Sequence, residues 1–166
     1  MSPTLRLSTP ADLETHVAHR VAMFRDMEMG SEEGLKRMTE GFRHQLRGWL
    51  VTGQCRGLVL EDNGQVVASV LMLMKESVAT PVTPLSVRGY LFNVYTAPAY
   101  RRQGLAARLT DAALDLAREI GIEIMELHAS LEAEGLYQRL GFAPTSEMRL
   151  VMGSGIKTPK QWKHRR

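Results

Sequence analysis

Cysteine is nearly absent. Cys55 is the one cysteine among 166 residues, so no disulfide can close within the chain. No CxxC or spaced Cys/His set stands where zinc would need one, and a partly buried structural thiol is the simplest role for Cys55. Long apolar runs are missing too. The longest, Val66 to Met74, is broken by Ser69 and falls far short of the ~20 residues that span a bilayer. The opening Leu5-Arg6-Leu7-Ser8-Thr9-Pro10 lacks the charged-then-apolar order of a secretion signal. A soluble cytoplasmic protein with no membrane partner is therefore expected. Aromatic residues reach only 6%, but 44% hydrophobic and 23% charged residues make an ordinary globular balance that excludes bulk disorder.

A broad excess of one charge is missing as well. The net charge of +3 and a pI of about 9.2 hint at nucleic acid until the cations are located. Lys157, Lys160, Lys163, Arg165 and Arg166 all lie in the last ten residues, which hold no acid. That leaves residues 1–156 with 16 Lys and Arg against 18 acids. The reading is a single domain over 1–156 and a basic, solvated tail over 157–166, with no nucleic-acid partner.

What is present is a sequence of clear elements. Leu5 to Leu7 reads as a short strand. Thr9-Pro10-Ala11-Asp12 starts a helix that runs to about Glu28, with Leu13, Val17, Val21, Phe24 and Met27 at helical spacing. A second helix, from Ser31 to about Thr52, carries Leu35, Met38, Phe42, Leu46 and Trp49. Arg56 to Glu61 and Gln65 to Lys75 flank Asp62-Asn63-Gly64, a hairpin signal. A strand over Arg88 to Thr96, a helix over Gln103 to Ile120, a strand over Ile122 to Ala129, a short helix over Leu131 to Leu140 and a strand over Glu147 to Met152 follow. The fold class is α/β with a mixed sheet in the order β-α-α-β-β-β-α-β-α-β.

The informative segment is Val94-Tyr95-Thr96-Ala97-Pro98-Ala99-Tyr100-Arg101-Arg102-Gln103-Gly104-Leu105-Ala106. A strand ends, two arginines and a glycine follow, and the clearest helix of the chain begins. Amides at a helix start lack partners and carry partial positive charge, Gly104 lets a ligand approach the backbone, and the arginines add full charge. The physical target is a phosphate or pyrophosphate. Neither G-x-G-x-x-G nor a P-loop Gly-Lys-Ser/Thr is present.

Arg101-Arg102-Gln103-Gly104-Leu105-Ala106 resembles the R/Q-x-x-G-x-G/A signature of the GNAT superfamily of N-acetyltransferases. Gly135-Leu136-Tyr137-Gln138-Arg139-Leu140-Gly141-Phe142 is similar to that family's LY-x-x-x-GF segment. Ala106 stands where glycine is frequent, and Ser130 where asparagine is. The resemblance implies a mostly antiparallel sheet with a splayed central strand pair, and acetyl-CoA as cosubstrate without a metal. It places pantetheine along Val94, Tyr95 and Thr96. It places the pyrophosphate on the turn of Arg101, Arg102, Gln103, Gly104, Leu105, Ala106 and Ala107, with Ser130 also at the cofactor. Tyr137 is implied as the proton donor to the departing thiolate.

Acyl transfer to an amine needs the neutral amine, a minor species at pH 7 for an alkyl ammonium of pKa ~10.4. A base would therefore help, and His128, Glu126 and Tyr95 are the candidates. His128 is preferred because it stands nearer the C-terminal end of its strand, where open α/β sheets collect ligands. The implied activity is transfer of acetyl to a primary amine of a small molecule or amino-acid-like acceptor. Acetylation of a protein N-terminus or lysine, and a non-catalytic acyl-CoA sensor, are the rivals; a homodimer is allowed for. Asp26, Glu28, Glu32 and Glu33 crowd the turn after the first helix and suggest a cationic or zwitterionic acceptor. His16 and His19, one turn apart, lack a third ligand for a metal.

Overall fold

Turn chemistry and alternation build the sheet. The computed structural model describes residues 2–81 and 83–153. Asn63 and Gly64, at φ of 50° and 75°, fold β2 (Cys55–Asp62) onto β3 (Gln65–Glu76) in the tight hairpin expected. With β1 (Thr4–Leu7), β4 (Val87–Thr96) and β5 (Met125–Leu127) they form a five-stranded sheet in the order β1-β2-β3-β4-β5. Every pairing is antiparallel except that of β4 with β5, which is parallel. The mixed, mostly antiparallel α/β architecture is as anticipated.

Helices cover both faces. α1 (Leu13–Asp26) follows a single 3-10 turn, and α2 (Glu32–Thr52) starts where the Ser31 hydroxyl accepts the Gly34 amide at 3.1 Å. Together they bury Val17, Phe42 and Leu46 against Cys55 and Leu71 on one face of the sheet. On the other face lies α3 (Leu105–Glu119), whose buried Leu109, Ala113 and Ala117 recur every four residues as an amphipathic helix requires. Burial pushes the Cys55 thiol up to about 12, so it stays protonated and inert, the structural role expected of it.

The chain divides into two compact units after His128. The second unit holds α4 (Glu134–Arg139), preceded by a turn in which the Ser130 carbonyl accepts the Ala133 and Glu134 amides, each at 3.0 Å. α4 ends as Gly141 turns left-handed at φ 92° and the Phe142 amide reaches back to the Tyr137 carbonyl at 3.0 Å.

Two expectations are corrected. The strand over 122–129 contracts to Met125–Leu127, because β4 offers partners only from Gly89 to Leu91. Glu147 to Met152 forms no strand, although the order otherwise runs as expected. Met148, Leu150 and Met152 alternate as a buried face would, yet they are 94%, 80% and 88% exposed. Alternation is a local signal; a strand also needs a hydrogen-bonded neighbour, and this stretch has none among the described residues. The tail over 157–166 lies outside the described residues.

Candidate active site

A bulge opens the sheet. Leu71 of β3 faces Phe92 of β4, and Ser69 faces Tyr95, so two β4 residues stand opposite Val70 alone. Asn93 adopts φ 56° there, is buried, and donates from Nδ2 to the His16 carbonyl of α1 at 3.0 Å. An extra residue on one strand bends it away from its neighbour. The pairing of β4 with β5 accordingly ends at Leu91 opposite Leu127, while β4 continues to Thr96. Val94, Tyr95 and Thr96 thus present main-chain groups on an edge that no strand covers among the described residues, the splay implied by the sequence resemblance.

Beyond that edge the chain makes a left-handed turn. Arg102 and Gly104 take φ of 64° and 76°, and α3 starts at Leu105. Among the described residues, the amides of Arg102 to Ala107 meet no backbone carbonyl. A Cβ added at Gly104 would meet nothing within 4 Å, so the space before this turn is open. Such a run of converging amides at a helix start suits an anionic oxygen cluster. The arginines differ. Arg101 bonds the Thr96 carbonyl at 3.0 Å through Nε and is ion-paired with Asp26, so its charge braces the turn. Arg102 is exposed and has no ion pair among the described residues. Gln103 donates to the Ala99 carbonyl at 3.3 Å, and Leu105 is buried, leaving its amide as its contribution to the turn.

At the other end of the slot, His128 Nδ1 meets the Tyr90 hydroxyl at 2.7 Å. His128 is exposed, not packed beneath a helix. Glu126 pairs with both Lys75 and Arg88, each at 2.6 Å. Burial alone would raise the Glu126 carboxyl, but those two hydrogen-bonded cations override it and hold it below its ordinary value. A carboxylate so neutralised is a poor base, which leaves His128 ahead of it. Tyr95 packs its ring on His19 at 4.5 Å. Sequence reasoning missed Tyr90 and Asn93. Both owe their positions to pairings distant in sequence, and no local pattern marks them.

The remaining candidates resolve locally. His19 Nδ1 meets Ser69 Oγ and His16 Nε2 meets Ser8 Oγ, both at 2.7 Å, so the two histidines serve separate hydroxyls. No metal-holding group of three or more His, Cys, Asp or Glu is assembled among the described residues. The acidic turn is largely paired: Asp26 with Arg101, Glu32 with Arg25, Glu33 with Arg37. Its pull on a cationic acceptor is weaker than the sequence suggests. In the second unit, Tyr137 is buried with its ring 5.8 Å from Phe142, and burial raises its hydroxyl to about 12. Ser130 Oγ accepts the Ala133 amide at 3.3 Å.

Comparison with known proteins bears on the same segments. A GCN5-related N-acetyltransferase from Ralstonia eutropha JMP134 matches with a TM-score of 0.84 at 33% identity, over 90% of this chain and 97% of that one. A predicted acetyltransferase from Clostridium acetobutylicum, solved with acetyl-CoA, shares the fold with a TM-score of 0.83 at 22% identity, over 91% and 96% of the two chains. A candidate acetyltransferase of Bacillus subtilis (strain 168) is 32% identical over 65 residues, 39% of this chain. That match spans 44% of the curated relative's own length. The sequence profile of the acetyltransferase (GNAT) family matches residues 21–142, a span that holds the bulged strand, the glycine turn and the Tyr137 segment together. On that match the chain belongs to the acetyltransferase (GNAT) family, a family of acyltransferases.

Proposed function

We propose that this protein transfers acetyl from acetyl-CoA directly to a primary amine of a small molecule or amino-acid-like acceptor. The observation that carries the reading is the slot: β4 outruns β5 from Phe92 to Thr96 and leads into a turn whose amides meet no backbone carbonyl among the described residues. Pantetheine fits that edge as an added half-strand on Val94, Tyr95 and Thr96. The pyrophosphate fits the turn at Arg101 to Ala107, with Arg102 as the uncommitted cation and Ser130 as a further contact. The family match runs across the division after His128, which supports reading residues 1–156 as one catalytic domain.

His128 is the proposed base, held by Tyr90 through Nδ1. Tyr137 is the proposed donor to the leaving thiolate. With its hydroxyl near 12, complete transfer to a thiolate of ordinary pKa ~8.5 is uphill by roughly 5 kcal/mol. A hydrogen bond that strengthens as charge grows on sulfur is the role consistent with that figure.

The test is thiol release from acetyl-CoA across a broad amine panel, with the acetylated product identified by mass. One N-acetyl product per thiol supports the reading. Tight acetyl-CoA binding with no amine raising thiol release above hydrolysis would make the protein an acyl-CoA sensor instead.

A further inference from the structure

Arg20 of α1 is a half-buried cation that, among the described residues, has no anionic partner. Its guanidinium lies 4.6 Å from the Phe42 ring centroid, 5.0 Å from that of Phe24 and 5.9 Å from that of Phe92. Its Nε is buried and unbonded, and among the described residues the side chain makes no hydrogen bond or ion pair. Arg6, Arg88 and Arg101 of this unit each have a carboxylate: Arg6 meets Asp12 and Glu61, Arg88 meets Glu126, and Arg101 meets Asp26. Ring faces attract a cation but accept none of its five N–H groups in the plane where a guanidinium donates. Leaving the buried Nε–H unfilled is costly, and an apolar side chain of similar length would pack on these rings at no such cost, whereas the two terminal nitrogens are not among the buried unbonded atoms and stay open to a ligand. Burial pushes its pKa down, with Tyr90 partly opposing.

The location gives that cost a purpose. Phe92 is the first β4 residue beyond the last pair with β5, so Arg20 stands over the point where the slot opens. Tyr90 stacks on Phe92 at 5.9 Å and holds His128. Resting on the acetyl-transfer reading above, we propose that Arg20 binds a carboxylate of the acceptor, so that the amine acetylated is an amino acid or another amine bearing a carboxylate. A carboxylate matches two N–H groups of one guanidinium in parallel. A carboxylate carries the single negative charge that one guanidinium neutralises. A dianionic phosphate needs more cationic charge there, and Lys75 and Arg88 of the same sheet face are committed to Glu126.

The experiment compares amino acids, including ω-amino acids, with their carboxamides, using wild type, Arg20→Met and Arg20→Lys. Binding is read by calorimetry on CoA-saturated protein, and turnover by thiol release. Wild type should favour at least one acid over its amide by about 10- to 100-fold in Kd and in kcat/KM, the range for a hydrogen-bonded ion pair. Arg20→Met should bring that ratio to about one, and Arg20→Lys should restore part of it, while thermal unfolding shows Arg20→Met no less stable than wild type. Equal affinity of wild type for acids and amides overturns the proposal. So does a preference that survives Arg20→Met, an Arg20→Met loss of stability with the ratio intact, or a change confined to acetyl-CoA affinity. Binding of acids without thiol release from any amine would count against acetyl transfer and leave the carboxylate site standing.

Discussion

Gly104→Ala separates two reasons for a glycine at the head of α3. Gly104 has φ 76° and ψ 4°, and a Cβ there meets no atom within 4 Å. The substitution therefore costs backbone strain and no clash, about 1 kcal/mol for a left-handed alanine. From a stability of ordinary size, roughly 5 kcal/mol or more, such a loss leaves nearly every molecule folded. Acetyl-CoA affinity should nonetheless fall by about 10- to 100-fold, because the methyl enters the space in which a phosphate must approach the turn amides, and a hydrogen bond to a charged group contributes about 1.5–3 kcal/mol. Gly53, which ends α2, supplies the control. It has φ 72° and ψ 8°, again with nothing within 4 Å of an added Cβ, and it precedes Cys55, which the sheet register sets at the opposite end of β3 from the Ala68–Thr96 pair that leads into the glycine turn. Gly53→Ala should lower the urea midpoint by a similar amount and leave acetyl-CoA affinity unchanged. Calorimetric titration of the three proteins decides the matter. If Gly104→Ala binds acetyl-CoA like wild type, the glycine serves backbone geometry alone and the pyrophosphate sits elsewhere.

Tyr137→Phe should lower kcat by about 10- to 1,000-fold with little change in acetyl-CoA affinity, since only a donor used late in the reaction is removed; a wild-type rate under conditions where chemistry limits turnover would make Tyr137 a packing residue. Stability should fall as the pH drops from 6.5 to about 4, because burial holds His16 and His19 at about 4 while the unfolded chain takes up their protons near 6.5. Above 6.5 both states are neutral and the slope vanishes; within the window it reaches up to about 1.4 kcal/mol per pH unit for each histidine. Urea midpoints that stay flat from pH 7 to 4 would refute the assignment, and His19→Gln should shrink the slope. Asp12, lowered to about 2 chiefly by its hydrogen bonds to Arg6, adds a further loss as the pH falls below 3.8. Gly57→Ala should destabilise by about 1–3 kcal/mol, as its methyl would come within 2.8 Å of Ser8 Cβ and 3.1 Å of His16 Nε2. An unchanged thermal midpoint would show that this corner yields more than its packing suggests.

The sequence carried the elements whose causes are local. Asn63-Gly64 dictated a hairpin, Ser31 and Gly53 bounded α2, and Gly141 stopped α4, because each depends on residues within one turn of the chain. The glycine turn before α3 was legible for the same reason: strand, Arg-Arg-Gln-Gly and helix follow one another without interruption, and the free amides come with the helix start itself.

What only the tertiary structure decided depends on pairings between distant strands and helices. The Asn93 bulge is held by a carbonyl 77 positions away, and beyond it β4 runs on without β5. Tyr90 reaches His128 and Arg88 reaches Glu126 across a parallel register that no periodicity encodes. Met148, Leu150 and Met152 show the converse: an alternating pattern states which residues would share a face, but no strand forms without a neighbour to accept its hydrogen bonds. Local chemistry thus wrote the glycine turn in advance, whereas the placement of Arg20 among its phenyl rings arises only when α1 is laid across β4, since a side chain's partners there are set by packing rather than by chain order.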